Sequence, residues 1–139
     1  MTPRYALDAW AVLALLQGEE PAAQRVNHLI HAASSGDADL YMSVINLGEV
    51  SYRVGRVRGE EEAQAIVDVI RGLAVTIVTS DEDAVFAAAR FKMHHAISYA
   101  DAFAAATAEA LDAVLLTGDP ELIALEGRIH IERLRRGDA

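Results

Sequence analysis

Short runs of β-forming residues alternate with longer helical patterns along the whole sequence. The predicted strands cover residues 4–7, 40–42, 75–79, 114–117 and about 129–134. The predicted helices cover residues 9–17, 21–34, 44–54, 60–71, 81–92 and 98–111, with a short helix from Pro120. Within 60–71, apolar residues repeat at the spacing of one helix face: Ala63, Ile66, Val67 and Ile70. This alternation predicts an α/β fold in which a parallel sheet of about four or five strands is covered by helices.

The length and composition of the chain fit a single domain. Single cores commonly reach about 100–150 residues, so the 139 residues are expected to form one domain, 1–139. The longest apolar run, from Ala9 to Leu16, is far shorter than the roughly 20 residues that cross a bilayer, so no membrane contact is expected. The absence of cysteine suits a reducing cytoplasm. It also leaves oxygen or imidazole as the ligands for any metal.

The chain is acidic, with 21 aspartate and glutamate residues against 12 lysine and arginine residues and a formal net charge of -9. An average field of this sign repels nucleic acid and favours a cationic partner, which counts against a plain nucleic-acid-binding module. It counts less against a nuclease whose acids bind cations. Each divalent ion offsets two negative charges where a phosphate must lie.

Four acids map to one edge of the predicted sheet. Asp8 directly follows the first strand, and Asp119 follows the fourth strand. Glu49 lies in the second turn of the helix after the second strand, and Asp101 lies in the first turn of its helix. In open α/β sheets the ligand site lies outside the carboxyl ends of the strands. The four carboxylates are therefore expected to meet there.

Helix capping is the alternative explanation for some of these acids. Ser98 and Asp101 form an S-x-x-D capping pattern. Asp119 before Pro120 is a good N-cap with proline at the first helical position. Asp8 and Glu49 are harder to explain in this way because each interrupts an apolar run, and burying a lone carboxylate is costly.

The combination of acids favours a metal site. Carboxylates within a few ångströms repel by about 1–4 kcal/mol per pair, so proton uptake, arginine pairing or a metal must neutralise them. Lys92 is the chain's one lysine, and no arginine lies beside the four acids in sequence, although Arg4 could approach in space. A metal is therefore favoured, and carboxylate ligands without cysteine select Mg²⁺ or Mn²⁺.

In their order and spacing, four short segments resemble the PIN domain family: Leu7-Asp8-Ala9, Asn46-Leu47-Gly48-Glu49-Val50, Ser98-Tyr99-Ala100-Asp101-Ala102 and Thr117-Gly118-Asp119. The resemblance covers essentially the whole chain, and within the family it is greatest to VapC-type toxins of toxin–antitoxin pairs. It implies a three-layer α/β/α PIN-like fold and usually a homodimer. It also implies a metal-dependent endoribonuclease that leaves a 5′-phosphate and is inhibited by a cognate small antitoxin.

The resemblance carries over residue by residue. Four acids match the family's catalytic and metal-binding positions: Asp8, Glu49, Asp101 and Asp119. Three polar residues match supporting or substrate-binding positions: Asn46, Ser98 and Thr117. Because Pro120 follows Asp119, capping remains an alternative duty for that acid. A metal held by this set would lower the pKa of a bound water for in-line attack on a phosphodiester and stabilise charge on the leaving oxygen.

Several surface features admit two interpretations. Arg53, Arg56 and Arg58 fit either RNA-backbone contacts or cations that complement the dipole at a helix end. The apolar helix faces, including that of Trp10, are interpreted mostly as core, with some left for a dimer or antitoxin groove. The antitoxin's tail is expected to cross the acidic cleft, with an arginine that replaces the metal's charge.

Other functions are weighed against the nuclease hypothesis. A receiver-type signalling module needs an acidic pair after the first strand and a lysine near the last, and neither is present. A phosphatase with an aspartate nucleophile needs a second aspartate two residues after Asp8, where Trp10 stands. A catalytically silent PIN-like protein-binding or regulatory module remains the alternative.

Overall fold

Five parallel strands form the central sheet in the computed structural model, which describes residues 1–137. The strands are β1 (Arg4–Leu7), β2 (Asp39–Ser43), β3 (Thr76–Val78), β4 (Val114–Thr117) and β5 (Ile131–Arg133). The helices over the same residues are α1 (Ala9–Leu16), α2 (Ala22–Ser34), α3 (Val44–Arg58), α4 (Glu60–Arg71), α5 (Glu82–His94), α6 (Tyr99–Ala110) and α7 (Pro120–Ile123). The α/β organisation predicted from the sequence is confirmed.

The strand order is β3-β2-β1-β4-β5, so the chain reverses direction across the sheet at β1. β1 pairs with β2 on one side and β4 on the other, with Tyr5 opposite both Leu40 and Val114. A topological switch point of this kind leaves a crevice at the carboxyl ends of the two strands. Residues that directly follow β1 and β4 therefore face the same crevice.

Two hydrophobic clusters fill the spaces on the two faces of the sheet. Leu7 and Leu116 belong to the cluster with α1, α2, α3 and α4, whereas Ala6 and Leu115 belong to the cluster with α5 and α6. Consecutive strand residues thus bury their side chains on opposite faces, as the two-residue period of a strand requires. The three-layer α/β/α arrangement is confirmed. Within residues 1–137 no helix combines the length and apolarity needed to cross a membrane.

Helix α3 is longer than the sequence predicted. The expectation that it ends near Val54 is wrong, because the helix continues through Gly55 to Arg58. A Cβ built on Gly55 would lie 3.4 Å from the Cβ of Ala63 on α4, so the glycine permits close packing of the two helices. The helix ends at Gly59, whose φ of 92° is a conformation that other residues rarely adopt. The extra turn brings two more arginines alongside the crevice.

Candidate metal-binding site

Asp8 is fixed at the end of β1 by hydrogen bonds to both carboxylate oxygens. It caps α1, where its Oδ1 accepts from the backbone N–H of Ala11 at 2.8 Å. Its Oδ2 accepts from the hydroxyl of Thr117. The residue is 1% exposed, and burial raises the pKa of Asp8 to about 7, although these two hydrogen bonds lower it. The charges of Asp119 and Glu49 add to the increase.

Asp101 lies in the first turn of α6, where Ser98 caps the helix. The hydroxyl oxygen of Ser98 accepts from the backbone N–H of Asp101 at 3.1 Å. Ser98 thus fills the capping role, and the Asp101 carboxylate is left for the crevice. Burial, followed by the neighbouring charge of Asp119, raises the pKa of Asp101 to about 8. The two acids therefore crowd one another in the absence of a cation.

Thr117 joins two of the predicted site residues. Its hydroxyl donates to Asp8 and accepts from the backbone N–H of Asp119 at 3.0 Å. The Oδ1 of Asp119 accepts from the N–H of Glu121 at 2.9 Å, which confirms the predicted cap with Pro120 at the start of α7. Capping occupies one oxygen of Asp119, and the Asp119 carboxylate also interacts with that of Asp101 and raises the pKa of Asp101.

Glu121 is a member of the cluster that the sequence analysis missed. Among residues 1–137, Asp101, Asp119 and Glu121 offer carboxylate oxygens that lie within 4.8 Å of one another. An oxygen of Glu121 also accepts from the N–H of Ser98 at 3.3 Å. The only sequence signal was an acid two residues after Asp119, and an acid in the first turn of a helix is ordinarily explained by the helix dipole.

Glu49 lies on α3, across the crevice from this cluster, and is paired with an arginine. Its Oε2 is 3.1 Å from Nη2 of Arg53 and accepts from Nε at 3.2 Å. The sequence argument that arginine does not neutralise these acids is therefore wrong for Glu49, because residues four apart on a helix are neighbours. Arg4 does not approach the site. Its guanidinium donates instead to the carbonyl of Leu111.

Two buried oxygens on α3 have no hydrogen-bond partner within residues 1–137: Asn46 Oδ1 and Glu49 Oε1. Asn46 is 1% exposed, and its amide nitrogen donates to the carbonyl of Ala100 at 3.0 Å, one residue before Asp101. Leaving a buried acceptor unsatisfied costs about 1–3 kcal/mol. Carboxylate and amide oxygens without a donor suit Mg²⁺ or Mn²⁺, so the residues present fit the metal predicted from the sequence.

The acids and a group of arginines share one cavity of about 570 Å³. Three of the predicted acids line it: Glu49, Asp101 and Asp119. Asp8 is buried at its margin, since the next residues, Ala9 and Trp10, also line the cavity. Four arginines line it as well: Arg53, Arg56, Arg58 and Arg136. The first three occupy the last turns of α3, so both interpretations offered for them are compatible with the structure.

Comparison with known proteins places the fold. The family model described as "PIN domain" matches residues 5–127. No curated protein matches the chain. Solved structures do match. VapBC2 from Rickettsia felis, bound to a DNA fragment from its promoter, gives a TM-score of 0.72 at 18% identity, over 95% of this chain and 99% of that chain.

Two further structures are similar to the same extent. DNA-bound VapBC from Salmonella typhimurium has a TM-score of 0.71 at 19% identity and covers 96% of this chain and 98% of its own. VapC20 from Mycobacterium tuberculosis, described as a sarcin-ricin loop cleaving toxin, has a TM-score of 0.69 at 18% identity and covers 88% and 95%. At these identities the similarity is one of fold.

Proposed function

This chain belongs to the PIN domain family, and on that basis we propose that it is a divalent-metal-dependent endoribonuclease, the toxin of a toxin–antitoxin pair. The observation that carries the proposal is the convergence of Asp8, Glu49, Asp101 and Asp119 on one crevice. Two of these acids, Asp8 and Asp101, have a raised pKa. A similar fold in VapC20, described as a toxin that cleaves the sarcin-ricin loop, supports the choice of RNA as substrate.

The metal would be held by the four predicted acids, with Glu121 as a further ligand on the same side. A bound Mg²⁺ or Mn²⁺ supplies neutralisation of the acids and of the phosphate, and a water of lowered pKa. The chain's own residues hold the acids in position. Thr117 fixes Asp8, Ser98 fixes the turn that carries Asp101, and the amide of Asn46 donates to the carbonyl of Ala100, which directly precedes Asp101.

The arginines of the cavity supply the contacts to the RNA backbone. The cavity is lined by four of the chain's 12 basic residues and by four acids, so the formal charge of its lining is close to zero, whereas the whole chain carries -9. Arg56 and Arg58 lie at the end of α3, beyond the ion pair of Glu49 with Arg53. An RNA strand with one phosphate bound at the acids would place its neighbouring phosphates near these guanidinium groups.

The proposed partners are a cognate antitoxin and a second copy of the chain. The fold is shared with VapBC complexes, which supports the antitoxin, and the acidic charge favours a cationic antitoxin tail. Phe86, Met93 and Tyr99 are exposed apolar side chains on α5 and at the start of α6, which supports a homodimer.

A cytoplasmic location is proposed from the RNA substrate and the absence of cysteine.

A catalytically silent PIN-like binding module is the second candidate function. The pairing of Glu49 with Arg53 favours it, because the ion pair satisfies one acid without a metal. The two candidates differ in whether the purified chain cleaves RNA.

The deciding experiment incubates the purified chain with single-stranded RNA and Mn²⁺ or Mg²⁺. We expect cleavage that leaves 5′-phosphate ends, stops in excess EDTA and falls by at least about 10²-fold in Asp101→Asn. Asp83→Asn is the matched control, because Asp83 is an exposed first-turn acid of α5 outside the cavity. Asp83→Asn should cleave as the native chain does. Equal turnover in Asp101→Asn, or in EDTA, would reject the metal-dependent mechanism.

A further inference from the structure

Trp10 is the chain's one tryptophan, and it stands on the wall of the cavity that the acids share. It lies in the first turn of α1, two residues after Asp8, so the cap that fixes Asp8 also fixes the helix that carries the indole. The side chain is only partly buried. A large flat ring is therefore presented to the same space as Asp101 and Asp119. The sequence predicts core packing for most of the apolar helix face that includes Trp10, and this exposure to the cavity differs from that prediction.

Gly118 explains how the indole comes so close to the acids. A Cβ built on Gly118 would lie 2.2–2.5 Å from three atoms of the Trp10 ring, closer than any side chain tolerates. Gly118 separates Thr117, the hydrogen-bond donor to Asp8, from Asp119. The backbone that carries two site residues thus rests against the ring. Van der Waals contact sets the position of the indole relative to the acids.

Arg136 lies over the indole, with its guanidinium carbon 5.2 Å from the ring centroid. Backbone hydrogen bonds on both sides of Arg136 tie this part of the chain to the loop before α2, so its backbone is held in place. The side chain is 53% exposed, and its ion pair with Glu19 is long, at 3.4 Å. An exposed pair of this kind holds a side chain only weakly. The guanidinium can therefore move while its backbone stays fixed.

We infer that Trp10 and Arg136 form a subsite for a nucleobase of single-stranded RNA, adjacent to the phosphate held at the acids. The inference rests on the proposed ribonuclease function and deepens it. Every base has a flat π-face, so an aromatic ring beside an acidic metal site accepts a base without selecting its identity. The base takes the face of the ring that Arg136 covers, and the guanidinium turns to the neighbouring phosphate.

Because Trp10 is the only tryptophan in the sequence, tryptophan fluorescence reports directly on this subsite. The measurement uses the full chain with Mg²⁺ in the Asp101→Asn background, so that a short single-stranded RNA is bound and not consumed. We expect the RNA to quench the fluorescence. Replacing one nucleotide by an abasic nucleotide, which keeps the phosphate, should remove the quenching at one position and weaken binding about tenfold, or about 1.4 kcal/mol.

Substitutions separate stacking from folding. Trp10→Leu removes the only tryptophan in the sequence, so the affinities of the variants are measured with an end-labelled RNA. Trp10→Leu should weaken binding of the intact RNA about tenfold and should no longer distinguish the abasic RNA. Trp10→Phe keeps a ring against Gly118 and should give an intermediate affinity. Tyr52→Leu is the matched control, because Tyr52 is an exposed aromatic with Arg56 5.1 Å from its ring centroid that does not line the cavity on the described part of the chain. It should leave both affinities unchanged.

The results also separate this inference from the function on which it rests. Binding without quenching, or a loss on abasic substitution that is the same in Trp10→Leu as in its parent, would overturn the subsite while RNA cleavage by the native chain stands. Absence of RNA binding and of cleavage would overturn both.

Discussion

Two walls of the cavity hold their acids in different ways. The strand-edge wall comprises residues at the ends of β1 and β4 and in the first turn of α6: Asp101 and Asp119 line the cavity, and Asp8 and Thr117 are buried at its margin. The α3 wall comprises Glu49 and Arg53, which line the cavity, and the buried Asn46 on the same helix. On the first wall, backbone N–H groups and the Thr117 hydroxyl hold the carboxylates of Asp8 and Asp119, and burial raises the pKa of Asp8 and Asp101. On the second wall, an exposed arginine pairs with the carboxylate.

The difference between the two walls shows which acids destabilise the folded chain when no metal is bound. The strand-edge wall holds buried acids that disfavour ionisation at neutral pH, so a cation bound there relieves the most repulsion. The α3 wall is already neutralised by Arg53, which is half exposed and free to move. We therefore interpret the strand-edge wall as the fixed part of the metal site and the α3 wall as the adjustable part.

The largest expected effect is on the stability of the metal-free chain as a function of pH. The pKa of Asp101 rises from 3.8 to about 8 on folding, and that of Asp8 rises to about 7. Groups with a raised pKa contribute their stability below the unfolded value and lose it as the pH rises through the folded value. In EDTA, the melting temperature should therefore fall by at least about 3 °C between a pH of about 5.5 and about 9.

Two substitutions identify which wall produces that fall. Asp101→Asn should flatten the pH dependence and make the metal-free chain more stable than the native one at high pH, because an unfavourable buried charge is removed. Glu49→Gln should keep the slope, because Asp8 and Asp101 remain. If the pH dependence disappears in Glu49→Gln and persists in Asp101→Asn, the electrostatic cost arises on the α3 wall, and the interpretation is contradicted.

A smaller effect is expected from Arg53 on the α3 wall. Its guanidinium competes with a cation for the same oxygen of Glu49, and an exposed ion pair contributes about 0.2–1 kcal/mol. Arg53→Gln should therefore tighten Mn²⁺ binding by up to about fivefold in a calorimetric titration. The control is Arg71→Gln, an exposed arginine at the end of α4 that should leave the affinity unchanged. Weaker Mn²⁺ binding in Arg53→Gln would make the arginine a support for the metal and not its competitor.

The strand-edge wall was predictable from the sequence because its features are local. Each acid there follows a strand or begins a helix, and strand ends in a parallel sheet converge by topology. The capping roles of Ser98 and Asp119 follow from the same local patterns. The pairing of Glu49 with Arg53 also follows from helical spacing, because residues four apart on a helix are neighbours, although the two are not adjacent in sequence.

The subsite inferred at Trp10 could not be predicted from the sequence, for a physical reason. Its parts are brought together by contacts between distant segments, since the loop before α2 pairs with residues that follow β5 and places Arg136 over the ring. Neither helical periodicity nor strand alternation encodes such a contact. The contact of Trp10 with Gly118 is equally non-local, and a glycine after a strand has several ordinary explanations.

A crystal grown with Mn²⁺ tests most directly whether the two walls enclose a site for a hard dication. The account predicts an anomalous peak in the cavity at about 2.0–2.3 Å from oxygens of Asp101 and Asp119, with Glu49 turned toward it. A map with Mn²⁺ bound elsewhere on the chain and no peak between the walls, with Glu49 still held by Arg53, would contradict it.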